Sequence, residues 1–375
     1  MLIKREIQEK IEKDLWKQKV IIVYGARQVG KTTLVNQIFK KYSEKAEYYN
    51  CEESDVIEGL SAGTSTALKN FFGEKKLIIL DEAQKIRDIG IKLKLLIDNY
   101  PEMQIIATGS SSFELSNIIN EPLTGRFYSY QLYPFSFFEL KQIYSETEVN
   151  RLLERFLRIG LYPEITKLGE QEAQKQVSLI ANNYLFKDIF TFQEVRNPEV
   201  LTKLVQMLAL QLGNEVSLDE LSNSLGVSIE TVERYIILLE RAFVIFRLPA
   251  FSRNLRTEIK KSRKIYFYDC GIRNALIRNF NSLDLRSDVG ALWENFCITE
   301  RIKANQRKDL SPNQYFWRTY SQKEIDYIEE QGGKLSAFEF KWNKKRTKIP
   351  QEFLDTYKNA DFKIINKENY LKFLN

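Results

Sequence analysis

A glycine-rich segment near the amino terminus has the residue types that hold a phosphate group. Residues 25–33 read GARQVGKTT, which matches the pattern GxxxxGK[ST]. Glycine lets backbone N–H groups turn inward around an anion, and the positive end of a following helix adds to the attraction. Lys31 is expected to contact the β- and γ-phosphates of a nucleotide, and Thr32 to ligate Mg²⁺. The predicted nucleotide-binding residues are Gly25, Ala26, Arg27, Gln28, Val29, Gly30, Lys31, Thr32 and Thr33.

Asp81 and Glu82 are a second pair with suitable chemistry, and they directly follow an apolar run at 76–80. In that position an aspartate can support Mg²⁺, and a neighbouring glutamate can polarise the attacking water. A kinase would use the hydroxyl of its acceptor in place of water, so Glu82 favours hydrolysis. Thr108 and Ser110 come at the end of a further apolar run. They are candidates for reporting on the γ-phosphate, with an ordinary turn as the alternative.

Arg126 follows a glycine in the segment LTGR. It is a candidate arginine finger, a cation that offsets the charge developing on the γ-phosphate. A structural salt bridge is the alternative. The guanine-reading pattern NKxD does not follow these motifs, because the NKEN that begins at Asn366 has the wrong last residue. ATP is therefore the expected nucleotide, and Mg²⁺ the expected cofactor.

Alternating strands and helices must position these residues. The apolar runs at 20–24, 76–80 and 104–108 predict buried strands, and residues 34–42 have the apolar spacing of a helix. A strand, a glycine loop and a helix in this order are the context that the phosphate-binding motif requires. The pattern predicts an α/β fold with a parallel sheet.

The composition narrows the chemistry further. The chain of 375 residues contains no histidine, which excludes histidine general bases, Ser-His triads and histidine-ligated metals. Its three cysteines form no CxxC pair, so neither a disulfide framework nor a zinc site is expected. No secretory segment and no apolar run of about 20 residues is found. We expect a cytoplasmic protein without a membrane segment, whose metal ions bind to oxygen ligands.

The order of these motifs resembles a large prokaryotic family of AAA-type ATPases. The resemblance rests on GARQVGKTTL, LIILDEAQ, ATGSSS and LTGRFYSYQLYPFSFFEL, followed by YLFKDIF, KIYFYDCGIRNAL and EIDYI with FEFKW. It covers nearly the whole chain. The resemblance implies an AAA-like core related to signal-transduction and archaeal-type ATPases, then a winged helix and a nuclease-like fold, without a known biological role.

Residues 216–246 have the pattern of a helix-turn-helix, independently of this resemblance. Ser217 and Glu220 have the spacing of a capping box, which would open a short helix. Gly226 supplies the turn, and Ser228 is placed to cap a longer second helix. This region is therefore predicted to be a winged helix.

Strands predicted at 244–248 and 264–268 would frame the basic wing of that module. Residues 247–278 include nine basic side chains and two acidic ones. Contact with the DNA backbone is the functional interpretation. Binding to protein alone is the alternative, because Glu230 and Glu233 are expected to face outward on the second helix and suit base reading poorly. The predicted nucleic-acid contacts are Arg253, Arg256, Lys260, Lys261 and Arg263.

Four side chains near the carboxyl terminus could together hold a metal ion. Asp326 lies in a strand predicted at 324–330, and Glu339 and Lys341 lie in the next strand, where alternate residues share a face. Glu294 lies on a predicted helix. The set resembles the PD-(D/E)xK nuclease constellation, in which Asp326, Glu339 and Glu294 would bind Mg²⁺ and Lys341 would position water. An inert scaffold is the alternative.

The sequence thus predicts the fold class α/β, with a P-loop AAA-like core followed by a helical lid, a winged helix and a small α/β nuclease-like domain. The predicted function is an ATP-driven motor or switch that acts on DNA as a homo-oligomer, with nuclease activity left open. The alternative is a signalling-type switch ATPase whose carboxyl-terminal half binds a protein partner and cuts nothing. The predicted domain boundaries, in chain order, are 1–140, 141–200, 201–285 and 286–375.

Overall fold

The computed structural model describes residues 2–109, 122–185, 189, 195, 197–251, 263–319, 323–343 and 350–375. The chain separates into two compact units. The first unit comprises Met1–Ile143 and Arg241–Phe243, and the second comprises Tyr144–Glu240 and Val244–Asn375. None of the helices in the described part combines the length and apolarity that a bilayer span needs.

The first unit is built on a parallel sheet of five strands. The strands lie in the order β2-β3-β4-β1-β5, and every neighbouring pair is parallel. The strands are β1 (Val20–Tyr24), β2 (Ala46–Asn50), β3 (Leu77–Asp81), β4 (Gln104–Gly109) and β5 (Phe127–Gln131). The helices are α1 (Glu6–Asp14), α2 (Lys31–Lys41), α3 (Ser54–Gly59), α4 (Ser65–Phe72), α5 (Ile89–Asn99) and α6 (Phe137–Leu140).

The three strands predicted from apolar runs are confirmed, and they form the centre of this sheet. Every residue of β3 and β4 is buried, and β1 is buried except for Tyr24. Two more strands were not predicted. Their sequences, AEYYN in β2 and FYSYQ in β5, mix aromatic with polar residues and are mostly half-buried. The fold class, α/β with a parallel sheet, is confirmed.

The second unit begins with helices. The prediction that residues 141–200 are largely helical is confirmed for their described part. Gly160 ends the first of these helices, and a Cβ there would lie 2.0 Å from Oδ1 of Asp269, so the chain requires glycine. The helices are α7 (Glu146–Ile159), α8 (Glu170–Leu179) and α9 (Pro198–Leu210).

A helix pair and a small antiparallel sheet follow. The two predicted helices are observed as α10 (Leu218–Leu225) and α11 (Ile229–Arg241), with Gly226 in the left-handed conformation between them. Ser217 accepts a hydrogen bond from the backbone N–H of Glu220, as expected. The side chain of Glu220 instead accepts a hydrogen bond from Gln211, so the capping box is only half formed. The sheet has the order β6-β8-β7, with β6 (Glu215–Val216), β7 (Ile245–Pro249) and β8 (Arg263–Phe267).

A sheet of four strands completes the second unit, in the order β12-β11-β10-β9. The strand predicted at 324–330 is observed as β10, and it forms an antiparallel hairpin with β11. The last strand was not predicted and pairs in parallel with β11. The strands are β9 (Asn313–Arg318), β10 (Glu324–Gln331), β11 (Lys334–Phe340) and β12 (Ala360–Ile365), and the helices of this region are α12 (Cys270–Leu276), α13 (Val289–Arg307), α14 (Gln351–Thr356) and α15 (Tyr370–Leu374).

Candidate nucleotide-binding site

The predicted phosphate loop connects β1 with α2. Gly30 has φ +95°, a conformation that favours glycine, and α2 begins directly after it at Lys31. A Cβ at Gly25 would lie 2.2 Å from the carbonyl oxygen of Leu132, so only glycine fits where the loop leaves the strand. The glycine at position 30 is thus explained by its backbone conformation, and the glycine at position 25 by its close approach to the backbone of Leu132.

The side chain of Lys31 turns back over this loop. Its ammonium donates hydrogen bonds to the carbonyl oxygens of Gly25 at 3.0 Å and Ala26 at 2.9 Å. Lys31 is only 5% exposed. The first turn of α2 therefore places a positive charge at the loop, and the contact of Lys31 with phosphates stays a prediction.

Asp81 is the centre of a hydroxyl network at the end of β3. Its Oδ2 accepts hydrogen bonds from the hydroxyls of Thr32 and Tyr48, both at 2.7 Å. Its Oδ1 accepts one from Thr108. These residues meet because carboxyl ends of parallel strands share one edge of the sheet, and β4 lies between β1 and β3. The structure thus brings together Thr32, Asp81 and Thr108, which the sequence had singled out separately.

Tyr48 was missed by the sequence analysis, because β2 was not predicted. Its phenol pKa is raised, first by burial and then by the hydrogen bond and the negative charge of Asp81. The phenol therefore stays protonated at neutral pH and donates to the carboxylate. Tyr48 is thus placed to hold Asp81 in one orientation.

Glu82 lies beside this network. Its backbone N–H donates to the hydroxyl of Thr108 at 3.0 Å, and its φ is +54°. The side chain accepts a hydrogen bond from Gln84. Thr108 is fully buried and connects Asp81 with Glu82, and its predicted role as a γ-phosphate sensor stays a prediction. Ser110, the other candidate sensor, lies outside the described residues.

Arg126 is placed differently from the other predicted residues. It directly precedes β5, and its carbonyl accepts a hydrogen bond from Val20 at the start of β1. Arg126 thus lies at the amino-terminal edge of the sheet, opposite the phosphate loop. Its Nε lies 2.6 Å from Oδ1 of Asp98. This ion pair matches the alternative, a structural salt bridge. A role as an arginine finger stays a prediction, and from this position Arg126 would have to act at the nucleotide site of a neighbouring copy.

The carboxylates predicted near the carboxyl terminus are ion-paired with lysines. Lys264, which is 1% exposed, has its Nζ 3.2 Å from Oε1 of Glu294 and also contacts Glu324. Burial lowers the pKa of Lys264, but the charges of Glu294, Asp326 and Glu324 raise it overall, so the ammonium keeps its charge. The sequence analysis missed Lys264, because it lies far along the chain from these acids.

The remaining members of this set are also engaged. Asp326 is buried and accepts a hydrogen bond from the backbone N–H of Phe340 at 2.8 Å. Its pKa is raised well above the usual range, first by burial and then by the charges of Glu294 and Glu339. Glu339 pairs with Lys341 at 2.7 Å. Across the described residues, no three acidic or cysteine side chains are grouped so that they could hold a metal ion. Glu294, Asp326, Glu339 and Lys341 nevertheless lie close enough for the charges of the two glutamates to shift the pKa values of Asp326 and Lys341, and the role of this set in binding Mg²⁺ stays a prediction.

Much of the basic charge in the stretch 247–278 is neutralised within the second unit. Arg247 donates to Glu240 at 2.8 Å and also contacts Glu233. Arg263 lies 3.2 Å from the same Glu233. Glu233, which was expected to face outward, is half-buried and bridges these two arginines. Four of the predicted nucleic-acid contacts lie outside the described residues, namely Arg253, Arg256, Lys260 and Lys261.

The phosphate loop, the Asp81 network and the parallel sheet together define a P-loop ATPase fold. A family model described as "AAA domain" matches residues 17–141. Two further models match residues 150–283, "Domain of unknown function (DUF8612)", and residues 289–371, "Domain of unknown function (DUF4143)".

An uncharacterized protein of Mycobacterium tuberculosis is 31% identical over 360 residues, which cover 93% of this chain and 76% of that protein. An uncharacterized protein of Methanocaldococcus jannaschii is 25% identical over 381 residues, covering 96% and 81% of the two chains. The chain therefore belongs to the same family as the mycobacterial protein, an AAA-type ATPase family. The solved structure titled "Thermotoga maritima RuvB Holliday junction branch migration motor" is matched over 69% of this chain and 95% of that chain, with 15% identity and a TM-score of 0.29.

Proposed function

We propose that this chain binds ATP at the phosphate loop and hydrolyses it, and that the cycle drives a motor or switch. The observation that carries the proposal is the Asp81 network, in which the hydroxyl of Thr32 lies 2.7 Å from the Asp81 carboxylate, directly beside Glu82. The network places a carboxylate beside the phosphate loop, which a nucleotide-hydrolysing site needs to support Mg²⁺ and which a glycine turn alone does not supply.

The chemistry of these side chains suits the proposal. Thr32 and Asp81 offer oxygen donors of the kind that Mg²⁺ prefers, so they would hold the ion. When bound, Mg²⁺ would neutralise charge on the β- and γ-phosphates. Lys31 would bind the same phosphates, and Glu82 would accept a hydrogen bond from the attacking water and orient it. Tyr48 and Thr108 would keep the Asp81 carboxylate in place.

Measurement of ATP affinity by calorimetry, in Mg²⁺ and in EDTA, tests this proposal. We expect ATP to bind with Mg²⁺ and to bind more weakly without it. A native chain that binds no ATP in either condition would refute the proposal.

The four-part division at 1–140, 141–200, 201–285 and 286–375 is also proposed. Its boundaries near 140 and 285 are supported by the family models, whose matches end at 141 and 283 and resume at 150 and 289, whereas one model spans the boundary at 200. Within it, we assign the helix pair α10–α11 and the sheet β6-β8-β7 to a winged helix.

We further propose that this module contacts DNA through the segment that connects β7 with β8. The two strands are antiparallel neighbours, so the segment is the connection of a hairpin, the place of a wing. Because Arg247 and Arg263 are paired with glutamates, the contact must come from the four basic residues between them.

Neutralising Arg256, Lys260 and Lys261 together is expected to weaken DNA binding and to flatten its salt dependence. Each lost phosphate contact should reduce the slope of log K against log salt by about 0.9 for duplex DNA. Fluorescence anisotropy with a labelled duplex at several salt concentrations measures this slope. The control is the exposed Arg278→Gln variant, which should leave the slope unchanged. An unchanged slope in the triple variant would favour the alternative, a protein-binding switch.

The ion pairs of Glu294 with Lys264 and of Glu339 with Lys341 favour a carboxyl-terminal region that cuts nothing. We therefore expect the native chain to leave linear and branched DNA intact in Mg²⁺ and in Mn²⁺. Incubation of labelled substrates followed by denaturing electrophoresis checks this expectation. Cleavage that disappears in Asp326→Ala while ATP hydrolysis persists would contradict it and restore the nuclease interpretation.

A further inference from the structure

A buried arginine outside the residues matched by the AAA family model touches the phosphate loop. Arg5 precedes α1 and is 5% exposed. Its guanidinium donates to the carbonyl oxygen of Val29 in the loop and to that of Tyr133, both at 2.6 Å. Its Nε donates to Oε1 of Glu139 at 2.8 Å. One planar group thus connects the amino-terminal segment, the loop and the segment that follows β5.

Glu139 is held firmly enough to anchor this arginine. Its carboxylate also accepts hydrogen bonds from the backbone N–H groups of Glu6 and Ser136, both at 2.9 Å. Its own N–H donates to the Ser136 hydroxyl at 3.0 Å, which completes a capping box at the start of α6. The ring of Phe135 lies 4.9 Å from the guanidinium carbon. The position of Arg5 is therefore set by the fold around it.

The contact with Val29 has a consequence for the inside of the loop. In a trans peptide the C=O and the following N–H point in opposite directions. When Arg5 holds the Val29 carbonyl on the outside of the loop, the N–H of Gly30 is turned the other way. An anion in the loop would be bound by such inward N–H groups.

We propose that Arg5 is a positioning residue for phosphate binding, which orients the Val29–Gly30 peptide of the loop. The proposal rests on the proposed function, ATP binding at this loop. Arginine suits the task better than lysine, since only its planar fork can donate in three fixed directions at once.

The first test compares Arg5→Lys and Arg5→Gln with Lys4→Gln. Lys4 is the neighbouring cation, exposed and paired with Glu9, and it makes no contact with the loop through its ammonium. ADP affinity is measured by calorimetry below the melting temperature of every variant. We expect ADP to bind about tenfold or more weakly in both Arg5 variants, the size of a lost charge-assisted hydrogen bond. Lys4→Gln should bind ADP like the native chain.

Removing Arg5 alone leaves Glu139 buried without its cation, which could unfold the unit. The double variant Arg5→Gln/Glu139→Gln removes both charges and keeps the test valid. Its ADP affinity should fall as in Arg5→Gln.

A chemical rescue separates positioning from stability. In Arg5→Ala, a few millimolar guanidinium should restore part of the ADP affinity, because the ion can occupy the place of the side chain. Tetramethylammonium at the same concentration should not restore the ADP affinity.

Native ADP affinity in Arg5→Gln and in the double variant would overturn the proposal for Arg5, while the proposal that the loop binds ATP would stand. If the native chain bound no ADP or ATP, the proposed function itself would fail, a result that Lys31→Ala and the native chain reveal without any Arg5 variant.

Discussion

Lys31→Ala is expected to abolish ATP binding at micromolar concentrations. The Lys31 ammonium lies over the loop, 3.0 Å and 2.9 Å from the carbonyl oxygens of Gly25 and Ala26. Losing its charge should weaken ATP affinity by about 100-fold, equivalent to about 3 kcal/mol. Calorimetric titration with ATP and Mg²⁺ measures the loss.

Lys40→Ala is the matched control for this prediction. Lys40 lies on the same helix, is exposed, and carries the same charge. It should bind ATP like the native chain. Equal ATP affinities in Lys31→Ala and the native protein would contradict the proposal that ATP binds at the phosphate loop.

Glu82→Gln is expected to separate binding from hydrolysis. The amide has the shape of the carboxylate but cannot take up a proton, so ATP should bind normally while turnover falls by about 100-fold to 10,000-fold. The variant should accumulate with ATP bound. Phosphate release measures the turnover, and nucleotide extraction followed by chromatography identifies the bound species.

The exposed Glu58→Gln on α3 serves as the control for Glu82→Gln, because it removes one negative charge that is not part of the Asp81 network. Its turnover should match that of the native chain. Native turnover in Glu82→Gln would mean that Glu82 does not activate water, and the assignment of roles to the pair after β3 would fall.

The central strands and the loop could be predicted because their signals are local. A buried strand in a parallel sheet is a continuous apolar run, and the glycine pattern reports backbone conformation directly. Thr32, Asp81 and Thr108 were singled out separately from the sequence, and they meet because the carboxyl ends of parallel strands share one edge of the sheet.

The missed residues depend on contacts that sequence spacing does not reveal. Tyr48 lies on β2, an edge strand whose polar and aromatic residues give no clear period. Arg5 lies 24 residues from Val29, its contact in the loop, and 134 residues from Glu139, which pairs with its guanidinium. Lys264 lies on β8, a strand of a different sheet, and forms an ion pair with Glu294. It adds a positive charge beside the carboxylates that their pattern in the sequence does not reveal.

The measurement that tests the central claim most directly is phosphate release from ATP by the purified native chain, with Mg²⁺ and with EDTA, beside Lys31→Ala and Glu82→Gln. The account predicts release by the native chain that requires Mg²⁺ and is lost in both variants. Phosphate release that persists at the native rate in Lys31→Ala would contradict the account. So would the absence of phosphate release by the native chain with Mg²⁺, both alone and with DNA added.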